Sequence, residues 1–355
     1  MSYNSFGDFF TITTFGESHG KAVGVIIDGI PSNIEIDIEN IKYHLARRRP
    51  GQSDITTPRK EKDSPIVLSG LYEGKTTGAP LTIIIENQDI QSKDYDSVAN
   101  CYRPSHSDYS WEKRYTIRDH RGGGRSSGRE TVARVIAGAI ALQLLKQKGI
   151  SVCAYTTQIG DICVNRFDKS VIEKNSMRAC DLEASLKMEE LVKNVALKGD
   201  SVGGVIECRI DNMIAGIGDP IFEKIDANLA KAIFSIGAVK AFEIGLGFKA
   251  ALQYGSTYND SQTKTGYLSN NGGGIEGGVT NGNQIIFRAA IKPTPSISLP
   301  QKTLTTSNQE CSIQIQGRHD PCICPRIVPV IEAMSAIVIL NALMSYNASC
   351  LFKTK

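Results

Sequence analysis

The 355-residue sequence predicts an α+β protein with long helices packed between antiparallel sheets. Three observations lead there. Residues 129–148 and 326–345 each read as a long helix. The second carries Ile327, Val330, Ile331, Met334, Ile337 and Val338, apolar nearly all round, and such a helix belongs in an interior. The strand-like runs rarely alternate regularly with helices, which argues against a doubly wound parallel sheet. A hydrophobic content of 41% is enough to build a sizeable core around both helices. No strong linker divides the chain, so one domain over residues 1–355 is expected.

In chain order, strands are expected at 9–15 (FFTITTF), 22–28 (AVGVIID), 81–86 (LTIIIE), 151–159, 203–210 (GGVIECRI), 284–291 (QIIFRAAI) and 311–316. Helices are expected at 38–47, 129–148, 183–197, 226–235 and 326–345. In helix 129–148, Val132, Val135, Ile136, Ala139 and Ile140 recur at helical spacing, and the pattern stops at Gly149. Ser127 followed by Glu130 reads as a capping box at its start. Residues 49–65, 87–125 and 255–283 have little periodicity. Stretches of that length, rich in specific side chains, point to function.

Lys and Arg total 40 against 37 Asp and Glu, a net charge of +3 that does not mark a nucleic-acid binder. The arginines are clustered, however, at Arg47–Arg49 and from Arg118 to Arg129. Nine scattered cysteines suit reduced thiols and a cytoplasmic location. Cys322 and Cys324 beside His319 have no second Cys/His pair at ligand spacing, so no metal site is expected. No charged leader with an apolar core opens the chain, and no uninterrupted apolar run nears the ~18–20 residues of a membrane span.

The stretch RDHRGGGRSSGRE (118–130) puts Arg121, Gly122, Gly123, Gly124, Arg125 and Ser126 on the approach to a helix N-terminus, where anions bind. It is one step from a P-loop, but Arg129 replaces the lysine and Glu130 the magnesium-binding hydroxyl, which excludes that chemistry. Gly245-Leu-Gly247 is followed by a glycine- and asparagine-rich loop, a poor dinucleotide fingerprint. Of five histidines, His19 and His106 sit on loops near arginine and suit acid–base work, while His44 and His120 read as structural or solvated. Arg129, in the first turn of its helix, is expected to have its side chain free to face an anion. RRRPG (47–51) and GRHDP (317–321) add two more arginine sites at loop–helix junctions. Together they suggest a site for a small polyanion, since guanidinium forks match phosphate and carboxylate.

FGESHG (15–20), RPSHSD (103–108), RGGGRSSGRET (121–131), NNGGGIEGG (270–278), KPTPSI (292–297) and GRHDP occur in the order and spacing of the chorismate synthase family, which the chain resembles over nearly its whole length. The resemblance implies a β–α–β sandwich assembled as a homotetramer. It implies a lyase that removes phosphate and a ring hydrogen from 5-enolpyruvylshikimate-3-phosphate in a 1,4-anti sense, giving chorismate for aromatic amino acid biosynthesis. It implies reduced FMN as cofactor without net redox change, with NADPH as a candidate reductant or a separate flavin reductase as partner. By the same resemblance His19 is the acid for the departing phosphate, and His106 keeps the reduced flavin in its working protonation state. Asp320 is the carboxylate assisting proton removal near flavin N5. Arg48, Arg103, Arg129 and Arg318 resemble the groups that hold the substrate's anions. Arg125, Ser126, Ser127, Gly237, Ala238, Gly277, Lys292, Pro293, Thr294, Pro295 and Ser296, with Arg318, resemble the flavin-contacting positions. The chain departs from the family at Asp54, where arginine is common, at Ser105 and Ser107, where glycine and alanine are usual, and at Pro295, where serine is common.

Two other classes compete. An NAD(P)H-dependent flavin reductase, or another net-redox flavoenzyme, would consume its reductant in proportion to product. An RNA-binding module would interleave aromatics with its basic residues, and residues 118–129 contain none.

Overall fold

Alternation at every second residue builds the first sheet. Ile12 and Thr14, Val23, Val25 and Ile27, and Leu81, Ile83 and Ile85 are all buried, so these strands turn one face inward. The structure, a computed structural model, describes residues 3–51, 62–88, 99–315 and 319–350. It orders this sheet as Ser5–Phe6, Thr11–Gly16, Ala22–Asp28, Leu81–Glu86 and Ile66–Ser69, all antiparallel. A second antiparallel sheet runs Val239–Ile244, Ile285–Ile291, Gly204–Asp211, Ser151–Ile159 and Ile162–Cys163. Ile206, Cys208 and Ile210 with Ile285, Phe287, Ala289 and Ile291 form its inner face. Its half-buried opposite face carries a polar row in which Glu207 lies across from Tyr155 on one side and Arg288 on the other. Arg288 is hydrogen-bonded to Glu243 at 2.5 Å.

The helices are α1 (Ile38–Arg48), α2 (Asp108–Tyr115), α3 (Thr131–Gln147), α4 (Leu182–Leu197), α5 (Ile225–Phe234), the single turn α6 (Gly255–Tyr258) and α7 (Cys324–Ser349). The first sheet packs on α3, the second packs on α7, and the two helices pack on each other. This is the expected α+β arrangement of helices between antiparallel sheets. Gly138 of α3 sits where the helices come closest, and a Cβ there would overlap the backbone of Ala333.

α7 is long and apolar enough to cross a membrane by length and mean hydropathy, although Glu332 interrupts its apolar run, and most of it is buried between α3 and the second sheet. It begins two residues earlier than expected because proline is tolerated in a helix's first turn, here at Pro325. A second proline, Pro329, has no N–H to offer the carbonyl of Pro325. That carbonyl instead accepts from the Arg178 guanidinium at 2.5 Å. The one buried acid of α7, Glu332, accepts from Arg47 of α1 and from the Ala154 N–H at 3.0 Å. Arg47 also donates to Glu173 at 2.6 Å. Burial opposes the charge on Arg47, but Glu332 and then Glu173 more than offset it and raise the guanidinium's pKa. Burial, reinforced by Arg47, lowers His44 to about 4, which keeps it neutral at physiological pH.

Several expectations are corrected. Residues 128–130 form a 3-10 turn before α3 and not its first turn. Ser127 caps that turn by accepting from the Arg129 N–H at 3.3 Å, while Glu130 accepts from Thr14 Oγ1 at 3.0 Å and from Arg134 Nε at 2.8 Å, so no capping box forms. Stretch 87–125 contains α2, whose polar sequence has little apolar periodicity. The expected strand at 311–316 is Glu310–Ile313, paired with Gln301–Leu304 outside both large sheets. Strands Val239–Ile244 and Ile66–Ser69 were not anticipated; each is a sheet-edge strand with few buried residues.

Substituting Gly138→Ala should force α3 and α7 apart. Overpacking of this kind costs about 1–3 kcal/mol, read as a lower Tm in thermal unfolding. An unchanged Tm would show that the helices can separate without cost.

Candidate active site

The glycine–arginine loop 121–130 is the hub. FGESHG closes the turn between Thr11–Gly16 and Ala22–Asp28, with the Gly20 N–H donating to Glu17 O at 3.1 Å. Ser18 is buried, and its hydroxyl lies 3.0 Å from His19 Nδ1. The His19 ring rests against Gly122, where any Cβ would overlap the imidazole. That contact explains one glycine of RGGG: only a residue without a side chain admits the histidine. Asn87, which the sequence reading missed, ties the turn down by donating to Glu17 O at 2.9 Å and Gly20 O at 2.8 Å. Its carbonyl oxygen accepts from Arg129 Nε at 2.8 Å. Its position directly after a strand was the available signal.

Arg129 is buried, not free to face an anion as expected, and its guanidinium is paired with Asp63. Arg48, at the end of α1, donates to the other oxygen of Asp63 at 3.1 Å and to Gly128 O at 2.9 Å. Burial is the main influence lowering Arg48 to about 10, with Arg326 and Arg129 adding to it against Asp63. Burial also opposes ionisation of Asp63, but the two arginines outweigh it and hold its carboxyl below the ordinary range. Arg326, in the first turn of α7, donates to Arg48 O at 3.2 Å and pairs with Asp320. Neither Asp63 nor Arg326 was singled out from sequence; their partners come from distant segments.

His106 lies on the other side of the loop. Its Nδ1 is 2.8 Å from Asp108 Oδ1 and 3.3 Å from Ser107 Oγ. Asp108 accepts a two-pronged bond from Arg103, Nε and Nη2 each at 2.7 Å, and a third from the Arg103 N–H at 3.1 Å. Burial lowers the His106 pKa, partly offset by its hydrogen bond to Asp108. Ser107 donates to Ser126 Oγ at 2.6 Å, and Ser126 donates to Gly123 O at 2.6 Å, which joins the histidine segment to the hub. Lys292, at the end of strand Ile285–Ile291, donates to Ser105 O at 3.2 Å. Ser105 has φ +55°, the left-handed backbone that favours glycine.

Arg125 turns back onto the first sheet, donating to Thr14 Oγ1 at 2.7 Å and Asn4 Oδ1 at 3.1 Å. Ala238 O accepts from Lys292 N at 2.9 Å, which brings Gly237 and Ala238 beside the segment Lys292, Pro293, Thr294, Pro295 and Ser296. Gly277 is not brought there. Its neighbour Gly278 receives the N–H of Ile225 at the start of α5, whereas Ala238 follows the end of that helix. About 15 Å of helix lies between them. Arg318 and Asp54 lie outside the described residues. Among the described residues no cluster of His, Cys, Asp and Glu could hold a metal ion.

Comparison with known proteins decides the family. The family model for chorismate synthase matches residues 10–344. The chain belongs to the chorismate synthase family. It is 49% identical to the chorismate synthase of Lachnospira eligens over 347 residues, covering 96% of this chain and 95% of that one. It is 51% identical to that of Lachnoclostridium phytofermentans over 356 residues, covering 98% and 97%. A crystal structure of a chorismate synthase superposes with TM-score 0.77 at 32% identity, covering 96% of this chain and 93% of that one. Membership makes the protein a carbon–oxygen lyase of the chorismate-forming step.

Two substitutions test this geometry. Gly122→Ala should displace the His19 ring and lower turnover by part of the ~10²–10⁴-fold that a general acid supplies, with the fold retained by circular dichroism. Normal kcat would separate the ring's position from the reaction. Arg129→Ala breaks a buried ion pair, so stability should fall by about 3 kcal/mol, read as a lower Tm, along with activity. A kinetic defect at unchanged Tm would show that the pair contributes no stability.

Proposed function

We propose that the site eliminates phosphate from 5-enolpyruvylshikimate-3-phosphate to give chorismate, with reduced FMN bound beside the substrate. The observation that carries this reading is the convergence of buried Arg48 and Arg129 on one carboxylate, with Arg129 tied to the His19 turn through Asn87. Two guanidiniums sharing Asp63 leave positive charge in excess, as a polyanionic substrate requires. Of the five buried side-chain polar atoms without a hydrogen-bond partner among the described residues, two lie where the ligands are proposed to bind. Arg48 Nε lies in the proposed substrate region, and Thr294 Oγ1 in the segment proposed to touch flavin. Both fit anionic, hydrogen-bonding ligands, and Thr294, Ser126 and Lys292 would hold the flavin.

When bound, reduced FMN supplies transient electron density for C–O cleavage and ends in the state in which it began. The protein's part is electrostatic and protonic. Arg48, whose Nε has no partner among the described residues, meets charge growing on the departing phosphate with a donor already oriented, and Arg129 adds its positive charge through the shared Asp63. His19 delivers a proton to that phosphate, its ring held by Ser18 and Gly122. Asp320, oriented by Arg326, takes part in removing the ring proton, and His106 maintains the protonation state of the reduced cofactor. Arg103 and Arg318 complete the anion-binding set. We further propose a cytoplasmic homotetramer whose flavin is reduced by NADPH or by a separate reductase. Phe248, Leu252 and Tyr254, each at least 80% exposed, give such an assembly an apolar surface.

Anaerobic turnover with chemically reduced FMN is the decisive test. A single charge of reduced flavin should support many turnovers, with phosphate and chorismate released one to one, and oxidised FMN should yield no product. Oxidation of one flavin or one NADPH per product would replace this reading with the reductase class.

A further inference from the structure

We propose that Asp108 is the positioning residue of His106: its carboxylate accepts the Nδ1 proton, leaving Nε2 as the ring's proton-accepting nitrogen, while Arg103 anchors the carboxylate from behind. The inference rests on the reading that His106 acts on protons in the reaction. Its geometry stands independently of that reading.

Asp108 is buried, and a buried carboxylate is stable only when its oxygens are satisfied. Here Oδ1 receives His106 Nδ1 at 2.8 Å and Arg103 Nη2 at 2.7 Å. Oδ2 receives Arg103 Nε at 2.7 Å and the Arg103 N–H at 3.1 Å. Arg118 approaches Oδ2 at 3.8 Å and lies over the Tyr102 ring. Burial raises the Asp108 pKa, but the bonds from Arg103 and then His106 dominate and hold the carboxyl far below its ordinary range. An ionised carboxylate can only accept, so the nitrogen facing it must carry a proton. On a neutral ring the second nitrogen is then bare. The other polar group at Nδ1, Ser107 Oγ, has its own hydrogen directed at Ser126 and offers a lone pair, which reinforces the same tautomer. The charged groups around the ring are Arg103 and Asp108 from its own segment and Lys292, which follows strand Ile285–Ile291. Burial, and after it Arg103 and Lys292, oppose a charge on His106 and favour the neutral ring against the pull of Asp108.

A purely structural role would let Asp108 hold the start of α2 without governing which nitrogen carries the proton. The difference is visible in ¹⁵N spectra of histidine-labelled protein, with His106→Gln assigning the signal. The wild-type ring should show a protonated Nδ1 and a bare Nε2; the opposite tautomer overturns the proposal without any variant of Asp108. In Asp108→Asn the carboxylate's support for the imidazolium is lost, so the His106 titration should move down by about a unit. Its tautomers should mix, and kcat should fall by ~10-fold or more out of the ~10²–10⁴-fold that proton transfer supplies. Asp108→Glu, which keeps the charge, should recover much of both. An unchanged tautomer and titration in Asp108→Asn overturn the positioning role. Full turnover by His106→Gln overturns the reading of His106 itself, and the spectra still decide what Asp108 does to the ring.

Discussion

Burying Arg48 and Arg129 together is tolerable only because Asp63 lies between them. Each guanidinium alone would carry a desolvation cost of several kcal/mol. One carboxylate between two arginines removes much of that cost and still leaves a unit of positive charge. The three residues arrive from the end of α1, from the segment before Ile66–Ser69 and from the turn before α3. Their pairing therefore holds α1, the hub loop and the first sheet in one relation, and the position of His19 beside Gly122 follows from it.

The interior behind the site is built on the same logic. Helix α7 is nearly all apolar, yet its single buried acid is answered by Arg47, and the carbonyl left open by Pro329 is answered by Arg178. Both arginines also reach the exposed Glu173, so α1 and α7 are joined by an ionic network that runs from the interior to the surface. Since Arg47 precedes Arg48, the network that orders the core also orients the residue proposed to meet the substrate. Stability and site geometry share a backbone segment here, and a change in one would be felt in the other.

His106 shows the same economy on a smaller scale. Arg103, His106 and Asp108 fall within six residues, and the left-handed Ser105 turns the chain so that all three side chains meet. Ser107 then links this unit to Ser126 of the hub.

The sequence by itself determined the fold class, the main strands and the long helices, because burial imposes a period of two or of 3.6 that any reader can find. It also determined the family, through motifs whose order survives without coordinates. It placed His19 and His106 on loops and the arginine clusters at loop–helix junctions. It could not say which acid neutralises which arginine, since that depends on segments dozens of residues apart. Nothing in the sequence set Asp63 apart from other loop acids or Arg326 apart from other cations. α2 escaped because its helical turns carry no apolar stripe, and the edge strands because few of their side chains are buried. The capping box failed for a related reason: Glu130 had stronger partners in Thr14 and Arg134, which only the packed structure brings within reach. Local patterns report what the chain does with its own neighbours. Charge pairing in the interior is settled by tertiary contact, because only there does desolvation make an unpaired group costly.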